Sequence, residues 1–325
     1  MTFRSTTAII AVTLSLPLIA QAQETLVLYT SQPYSDAQQT VDAFEQAHPD
    51  IDVEWVRDGT TRLITRLRSE LSAGLVKPDV LLIADTVTME SLKQEGYLQS
   101  YMSPERENYD PSLYDDQGHY YSTKLITTGI VYNTNVNFQP TSWADLIRPE
   151  LSGQVTMPSP LYSGAALVHM ATVMENPGLG WSYIEQLKAN GAEAQGGNGG
   201  VFNAVANGTK PYGIVVDFLP IREAAKGSPV QFVFPEEGVS AVTEPVAIMK
   251  DATNPAAAQT FVDFLLSVEG QQLVQSQGYL PASDRVAPPE GFPARDAIRL
   301  MPLDASTALE EAEANKARFS ELYGS

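Results

Sequence analysis

Three sets of residues carry groups suited to holding an anion or to reading what lies beside it. Ser163-Gly164-Ala165, preceded by Pro160, stands at the head of a predicted helix running from Ser163 to Met174. The first N–H groups of a helix lack internal acceptors and its dipole favours negative charge, so such a start can seat an oxyanion. Gly164 lets backbone approach closely, and the Ser163 hydroxyl adds a donor. The same geometry also serves simple helix capping by Ser163. Asn198 lies in Gly196-Gly197-Asn198-Gly199-Gly200, ahead of a helix containing Ala204 to Gly208. A glycine-rich loop before a helix is a phosphate cradle in principle, or else a flexible surface loop. It lacks the Lys-Ser/Thr of a nucleotide-binding loop, which disfavours ATP. The third set is acidic: Asp85 ends one apolar strand, Asp217 follows another, and Glu244 precedes Pro245.

Catalytic and metal chemistry find less support. The chain has no Cys, which excludes disulfides, thiolate metal sites and a Cys nucleophile. It has three His and neither a Gly-x-Ser-x-Gly nor a His-Glu-x-x-His pattern, so an enzyme is not expected. His119-Tyr120-Tyr121 has the look of a metal cluster. Neighbouring side chains on a strand point to opposite faces, however, so the two rings are not expected on one ion. His48, before Pro49 at a helix end, and His169, inside a helix, read as structural. No metal and no cofactor is expected.

Alternating strands and helices must position these groups. Thr25 to Tyr29 is a short apolar strand that ends in Thr30-Ser31-Gln32-Pro33. A helix follows with Val41, Phe44 and Ala47 on one face. Ile51 to Val56 alternates as a second strand, and Gly59-Thr60-Thr61 opens a helix with Leu63, Ile64, Leu67 and Leu71 at helical spacing. Asp79 to Ile83 is a continuous apolar run, as a strand buried on both faces requires. This βαβαβ order signals a doubly wound sheet, whose ligands sit beyond the carboxyl ends of the strands. Ser31 and Gln32, and Asp85 within Ala84-Asp85-Thr86, therefore join the candidate site.

Further on, Tyr121 to Asn133 and Val239 to Met249 read as two long strands. Between them lies a second α/β set: strand Gln154 to Met157, helices Ser163 to Met174 and Gly180 to Ala189, and strand Tyr212 to Val216. Asn254-Pro255 starts the helix that carries Phe261, Phe264 and Leu265, and Ser306 to Leu322 forms a last helix. The expected fold is α/β, with two doubly wound mixed sheets joined by two crossing strands. The expected lobes are 23–124 with 245–280, and 125–244 with 281–325. A cleft between two such lobes binds by closing.

Residues 1–22 read as a signal peptide. Arg4 is their one charge, a small and apolar run follows from Ala8 to Ala20, and Ala20-Gln21-Ala22 closes the segment. The run is shorter than the ~20 residues of a membrane crossing, and no later stretch is apolar enough to span one. An exported, cysteine-free bacterial protein points to the periplasm. The net charge of −19 argues against nucleic acid and anionic membrane as partners. It does not exclude a small anion, because backbone donors in a cleft act at contact distance. A monomer is expected.

Several segments in order resemble the type II solute-binding proteins of ABC importers. They are Leu28-Tyr29-Thr30-Ser31-Gln32, Pro78-Asp79-Val80, Ser163-Gly164-Ala165, Ala204-Val205-Ala206-Asn207-Gly208 and Phe261-Val262-Asp263-Phe264-Leu265. More narrowly the chain is similar to the ferric-ion-binding branch, which includes binders of phosphorylated sugars and of 2-aminoethylphosphonate. The resemblance implies two lobes, no catalysis and delivery of a solute to an ABC permease. It also implies that Ser163, Gly164, Ala165 and Asn198 touch an anion.

The family's iron ligands fall at Pro33, Ala84 and Phe218-Leu219, none of which suits a hard cation. A shift of one residue would bring Asp85 or Asp217 into a ligand slot. Without iron, the anion pocket has room for an organic ligand. A carboxylate beside a bound dianion costs about 1 kcal/mol or more, whereas it attracts an ammonium group. The acids Asp85, Asp217 and Glu244 thus make 2-aminoethylphosphonate the expected ligand. A sugar phosphate, using the acids as hydroxyl acceptors, and ferric iron are the alternatives.

Overall fold

The computed structural model describes residues 24–75 and 77–324, so the leader expected at residues 1–22 lies outside the described residues. The chain opens with β1 (Glu24–Thr30), α1 (Tyr34–Ala47), β2 (Ile51–Arg57), α2 (Thr60–Ser72), β3 (Val80–Leu82) and α3 (Thr86–Gln94). As the apolar pattern requires, β1 pairs in parallel with both β2 and β3. Alternate residues of this sheet feed two cores. Leu26, Leu28, Val80 and Leu82 pack with Val41 and Phe44 of α1, whereas Tyr29, Leu81 and Ile83 pack with Leu63 and Leu67 of α2. Burial of a ring such as Phe44, fully enclosed against Phe261 and Phe264, stabilises by roughly 2–3 kcal/mol.

The stretch from Tyr121 to Asn133 is not one strand. It is β4 (Tyr121–Ser122) in the first sheet and β5 (Lys124–Asn133) in a second, broken at Thr123. The second unit continues with β6 (Val155–Met157), α4 (Gly164–Glu175), α5 (Gly180–Ala189), β7 (Glu193–Ala194), α6 (Asn198–Ala206), β8 (Tyr212–Val216), α7 (Phe218–Ala225) and β9 (Val230–Val233). The second predicted long strand is likewise split. Its halves are β10 (Ser240–Val242) in the second sheet and β11 (Pro245–Ile248) in the first. The chain ends with α8 (Pro255–Leu266), α9 (Val268–Ser276), β12 (Leu280–Pro281) and α10 (Ala305–Tyr323).

The first sheet runs β2-β1-β3-β11-β4. The second runs β10-β5-β8-β6-β7, with β9 and β12 also paired to β5. Both are mixed: β11 is antiparallel to β3, and β5 is antiparallel to β8, whereas β6 and β8 are parallel. The two crossings are bonded to each other where they change sheet. Thr123 N and Lys124 N both donate to Thr243 O, and Thr123 Oγ1 donates to Glu244 O at 2.8 Å. Helix α10 packs against α3 as well as against α4 and α5, so it bridges elements that flank both sheets.

Candidate functional site

The carboxyl ends of the strands of both sheets face a cavity of about 360 Å³. One wall is built from helix starts. Ser163 caps α4 by accepting from Ala166 N at 3.3 Å, which leaves the N–H groups of Gly164 and Ala165 without a helical acceptor. Asn198 is not in a loop: it is the first residue of α6, with Gly197 as the cap. Its Oδ1 accepts from Val216 N at 3.1 Å and its Nδ2 donates to Ser163 Oγ at 3.3 Å, which ties the start of α6 to the start of α4. Gly164, Ala165, Gly197, Asn198 and Gly199 all line the cavity. Two helix N-termini thus converge on one volume.

The opposite wall comes from the first sheet. Ser31 Oγ accepts from Ala84 N at 2.9 Å, joining the ends of β1 and β3. Arg57, last residue of β2, donates from Nε to Gln32 O at 2.7 Å, and its guanidinium has no carboxylate partner among the described residues. Arg62, one turn into α2, pairs with Asp58 at 3.1 Å on the exposed rim. A Cβ at residue 164 would lie 2.7 Å from Ala84 O and 3.2 Å from Thr60 Cγ2. Glycine there serves contact between the walls, in addition to the close approach to an anion expected of it.

Glu244 lies where the second crossing changes sheet. With φ of 39° it is the sole non-glycine residue of positive φ among the described residues, a strained conformation of the kind that clusters at functional sites. Its Oε2 lies 2.6 Å from Lys124 Nζ and accepts from Gln32 Nε2 at 3.2 Å. Both charged side chains are at least 97% buried. Lys124 Nζ also lies 4.1 Å from the centre of the Tyr279 ring, another lining residue. Glu244 therefore borders the cavity as half of an internal ion pair.

Of the nine residues singled out from the sequence, Ser31, Ser163, Gly164, Ala165, Asn198 and Glu244 line the cavity, and three do not. Gln32 is buried behind Glu244. Asp85 caps α3, accepting from Thr88 N at 3.0 Å and from Thr88 Oγ1. Asp217 caps α7, accepting from Thr127 N at 2.9 Å, Thr127 Oγ1 at 2.7 Å and Phe218 N. The physical reason is the same for both acids: a short carboxylate ahead of a helix satisfies nearby orphan N–H groups before it can reach a ligand. Burial pushes the Asp217 carboxyl up to about 7 against the pull of those donors, and it raises that of Asp85 as well. Sequence reasoning missed Arg57, Arg62, Thr60, Tyr162 and Tyr279. The position of Arg57 at a strand's carboxyl end was the available signal for it.

Pro33, Ala84, Phe218 and Leu219 do come together in the cavity, and they bring no oxygen ligand. Among the described residues no three of His, Cys, Asp or Glu gather as a metal site. Tyr120 donates to Glu90 Oε2 and Tyr121 to Tyr101 O, so the adjacent rings serve separate partners, as alternation requires.

Residues 76–308 match the family of bacterial extracellular solute-binding proteins, and the chain belongs to that family. By that family it is an extracellular solute-binding protein, a carrier and not an enzyme. The periplasmic binding protein AfuA of Actinobacillus pleuropneumoniae, solved with fructose 6-phosphate, has the same fold. Its TM-score is 0.83 and its identity 21%, over 93% of this chain and 99% of that one. Iron-bound HitA of Pseudomonas aeruginosa superposes with a TM-score of 0.80 at 22% identity, over 91% and 99% of the two chains. The molybdate-binding protein ModA of Mycobacterium bovis is 25% identical over 262 residues, 80% of this chain and 85% of that protein. No helix among the described residues is long and apolar enough to cross a membrane.

Proposed function

We propose that the protein captures a small organic phosphate or phosphonate and delivers it to its permease. The observation that carries this reading is the meeting of the α4 and α6 N-termini opposite the unpaired Arg57 guanidinium. Backbone N–H groups of Gly164, Ala165 and Gly199, the Ser163 hydroxyl and the Asn198 amide surround the oxyanion. Arg57 supplies charge from the other wall. Lobe 23–124 with 245–280 closes on lobe 125–244 with 281–325 about the two crossing strands. The protein works as a monomer, exported by the segment 1–22.

The organic end of the ligand meets Tyr162, Phe218, Tyr279 and the Glu244 carboxylate. The expectation of 2-aminoethylphosphonate leaned on three acids. Asp85 and Asp217 are occupied as caps, and Glu244 is already balanced by Lys124. A neutralised carboxylate suits hydroxyl donors better than an ammonium, so a hydroxylated phosphate ranks ahead of the aminophosphonate. The fructose 6-phosphate bound in AfuA belongs to that class. Ferric iron ranks lower, since the cavity offers no set of anionic oxygens.

Calorimetry with fructose 6-phosphate, 2-aminoethylphosphonate, inorganic phosphate, molybdate and ferric citrate tests the order. Fructose 6-phosphate is expected to bind most tightly of the five. Tightest binding of molybdate or ferric ion rejects the organophosphate reading, and tightest binding of 2-aminoethylphosphonate restores the amine.

A further inference from the structure

Outside the ligand cavity, a charged group on a helix of one half reaches a helix of the other. Helix α7 leaves β8 of the second sheet, and α1 leaves β1 of the first. Arg222 on α7 reaches Asp36 on α1, with Nη2 and Nη1 at 3.4 and 3.5 Å from Oδ2. We propose that Arg222 is a positioning residue, a clasp that holds the cleft shut without touching the solute.

Three observations support the clasp. First, Asp36 is fixed from its own side. Its carbonyl accepts from Gln277 Nε2 at 3.0 Å and its carboxylate accepts from the Tyr279 hydroxyl, so Arg222 meets a prepared acceptor. Second, the guanidinium lies 4.3 Å from the Tyr279 ring centre and 4.7 Å from that of Phe218, and both rings line the cavity. The clasp thereby orders two walls of the site from behind. Third, the slot it occupies exists because residue 278 is glycine. A Cβ on Gly278, whose φ is +77°, would sit 2.8 Å from Arg222 Nε. Asp36 is 7% exposed and Arg222 24%, so salt screens the pair weakly.

The consequence is a shift of population. A contact made when the halves are together favours the closed state even with no solute bound, and its loss favours the open one. Arg222 does not line the cavity, so its effect on binding runs through closure.

The inference rests on the lobe-closure reading above, and one experiment separates the two. The chain has no Cys, so Ser69→Cys on α2 and Gln186→Cys on α5 give a unique pair of spin-label sites. Distances between the labels are measured without solute in the labelled parent, Arg222→Met, Gly278→Ala and Gly164→Val. Arg222→Met removes the charge, Gly278→Ala displaces the guanidinium with its charge intact, and Gly164→Val props the walls apart directly. The expected result is a larger longer-distance population in all three variants than in the parent. If Gly164→Val lengthens the distance and the other two match the parent, the clasp is refuted and closure stands. If no variant lengthens it, closure fails as well. A lower melting temperature for Arg222→Met with parental distances reduces Arg222 to a structural role and also refutes the clasp.

Discussion

On the proposed reading, the two walls of the cleft recognise by different means. The α4–α6 wall offers backbone N–H groups, one hydroxyl and one amide, and no charged side chain. The facing wall offers Arg57, Arg62 and the Glu244–Lys124 pair. Backbone donors at a helix start are fixed by the helix itself, so that wall is preorganised for an oxyanion whatever the solute. On that reading Arg57 of the other wall adds charge to the shared oxyanion, and the rest of that wall, with Arg62 and the Glu244–Lys124 pair, reads what distinguishes one solute from another. Backbone donors with Arg57 for the shared group, and the remaining side chains for the distinguishing one, divide affinity from specificity.

Four measurements would break or sharpen that contrast. The largest effect is expected from acid. Burial holds His169, in the middle of α4, down at about 4, with Nδ1 bonded to Ser240 Oγ and Nε2 without a partner. Between pH 4 and 6.5 the unfolded chain binds the extra proton and the folded one does not. The His169 contribution is therefore complete above 6.5 and lost as pH falls to 4, by about 3 kcal/mol. The Asp217 carboxyl, raised to about 7, takes up its proton first in the folded chain and works in the opposite sense, so the His169 loss is read as the difference between the parent and His169→Gln in urea titrations at pH 7 and 4.5. Unequal sensitivity of ligand affinity over the same range would tie the backbone wall to the stability of α4.

Gly164→Val comes next, with an expected loss of about 100-fold in affinity for the tightest solute, since its side chain strikes the Ala84 carbonyl. Calorimetry reads this, and an unchanged affinity would mean that the walls need not meet. Arg57→Ala should cost about 10-fold, the scale of one charge-assisted bond, and should do so for every oxyanion tested. A loss confined to one solute would make Arg57 a specificity group. Ser163→Ala should cost about fivefold, the scale of a neutral hydrogen bond, equally for all oxyanions. Selective loss there would contradict the division between the walls.

Most of the fold was legible in the sequence because each element obeys its own period. The alternation of Ile51 to Val56 and the helical spacing of Leu63 and Leu67 needed no tertiary information. The breaks at Thr123 and at Thr243-Glu244 were not legible, since strand-forming residues flank both and only the pairing assigns each half to a different sheet. At the site, the helix start at Ser163 was readable from type and order alone. Asp85 and Asp217 misled because an acid before a helix suits a ligand and a cap equally well. Arg57 and Arg62 belong to no motif that marks them, and Tyr279 stands far along the chain from the elements whose residues it meets in the cavity.

The bond between the crossings has a consequence for how the molecule moves. Thr123 and Glu244 are joined where the chain passes from one half to the other, so the two connections turn together as a single axle. Sliding and twisting would have to tear that bond, whereas rotation about it keeps it whole. If the proposed closure occurs, rotation is the motion that this bond favours, and a reporter placed at the far end of either half would convert occupancy into a displacement.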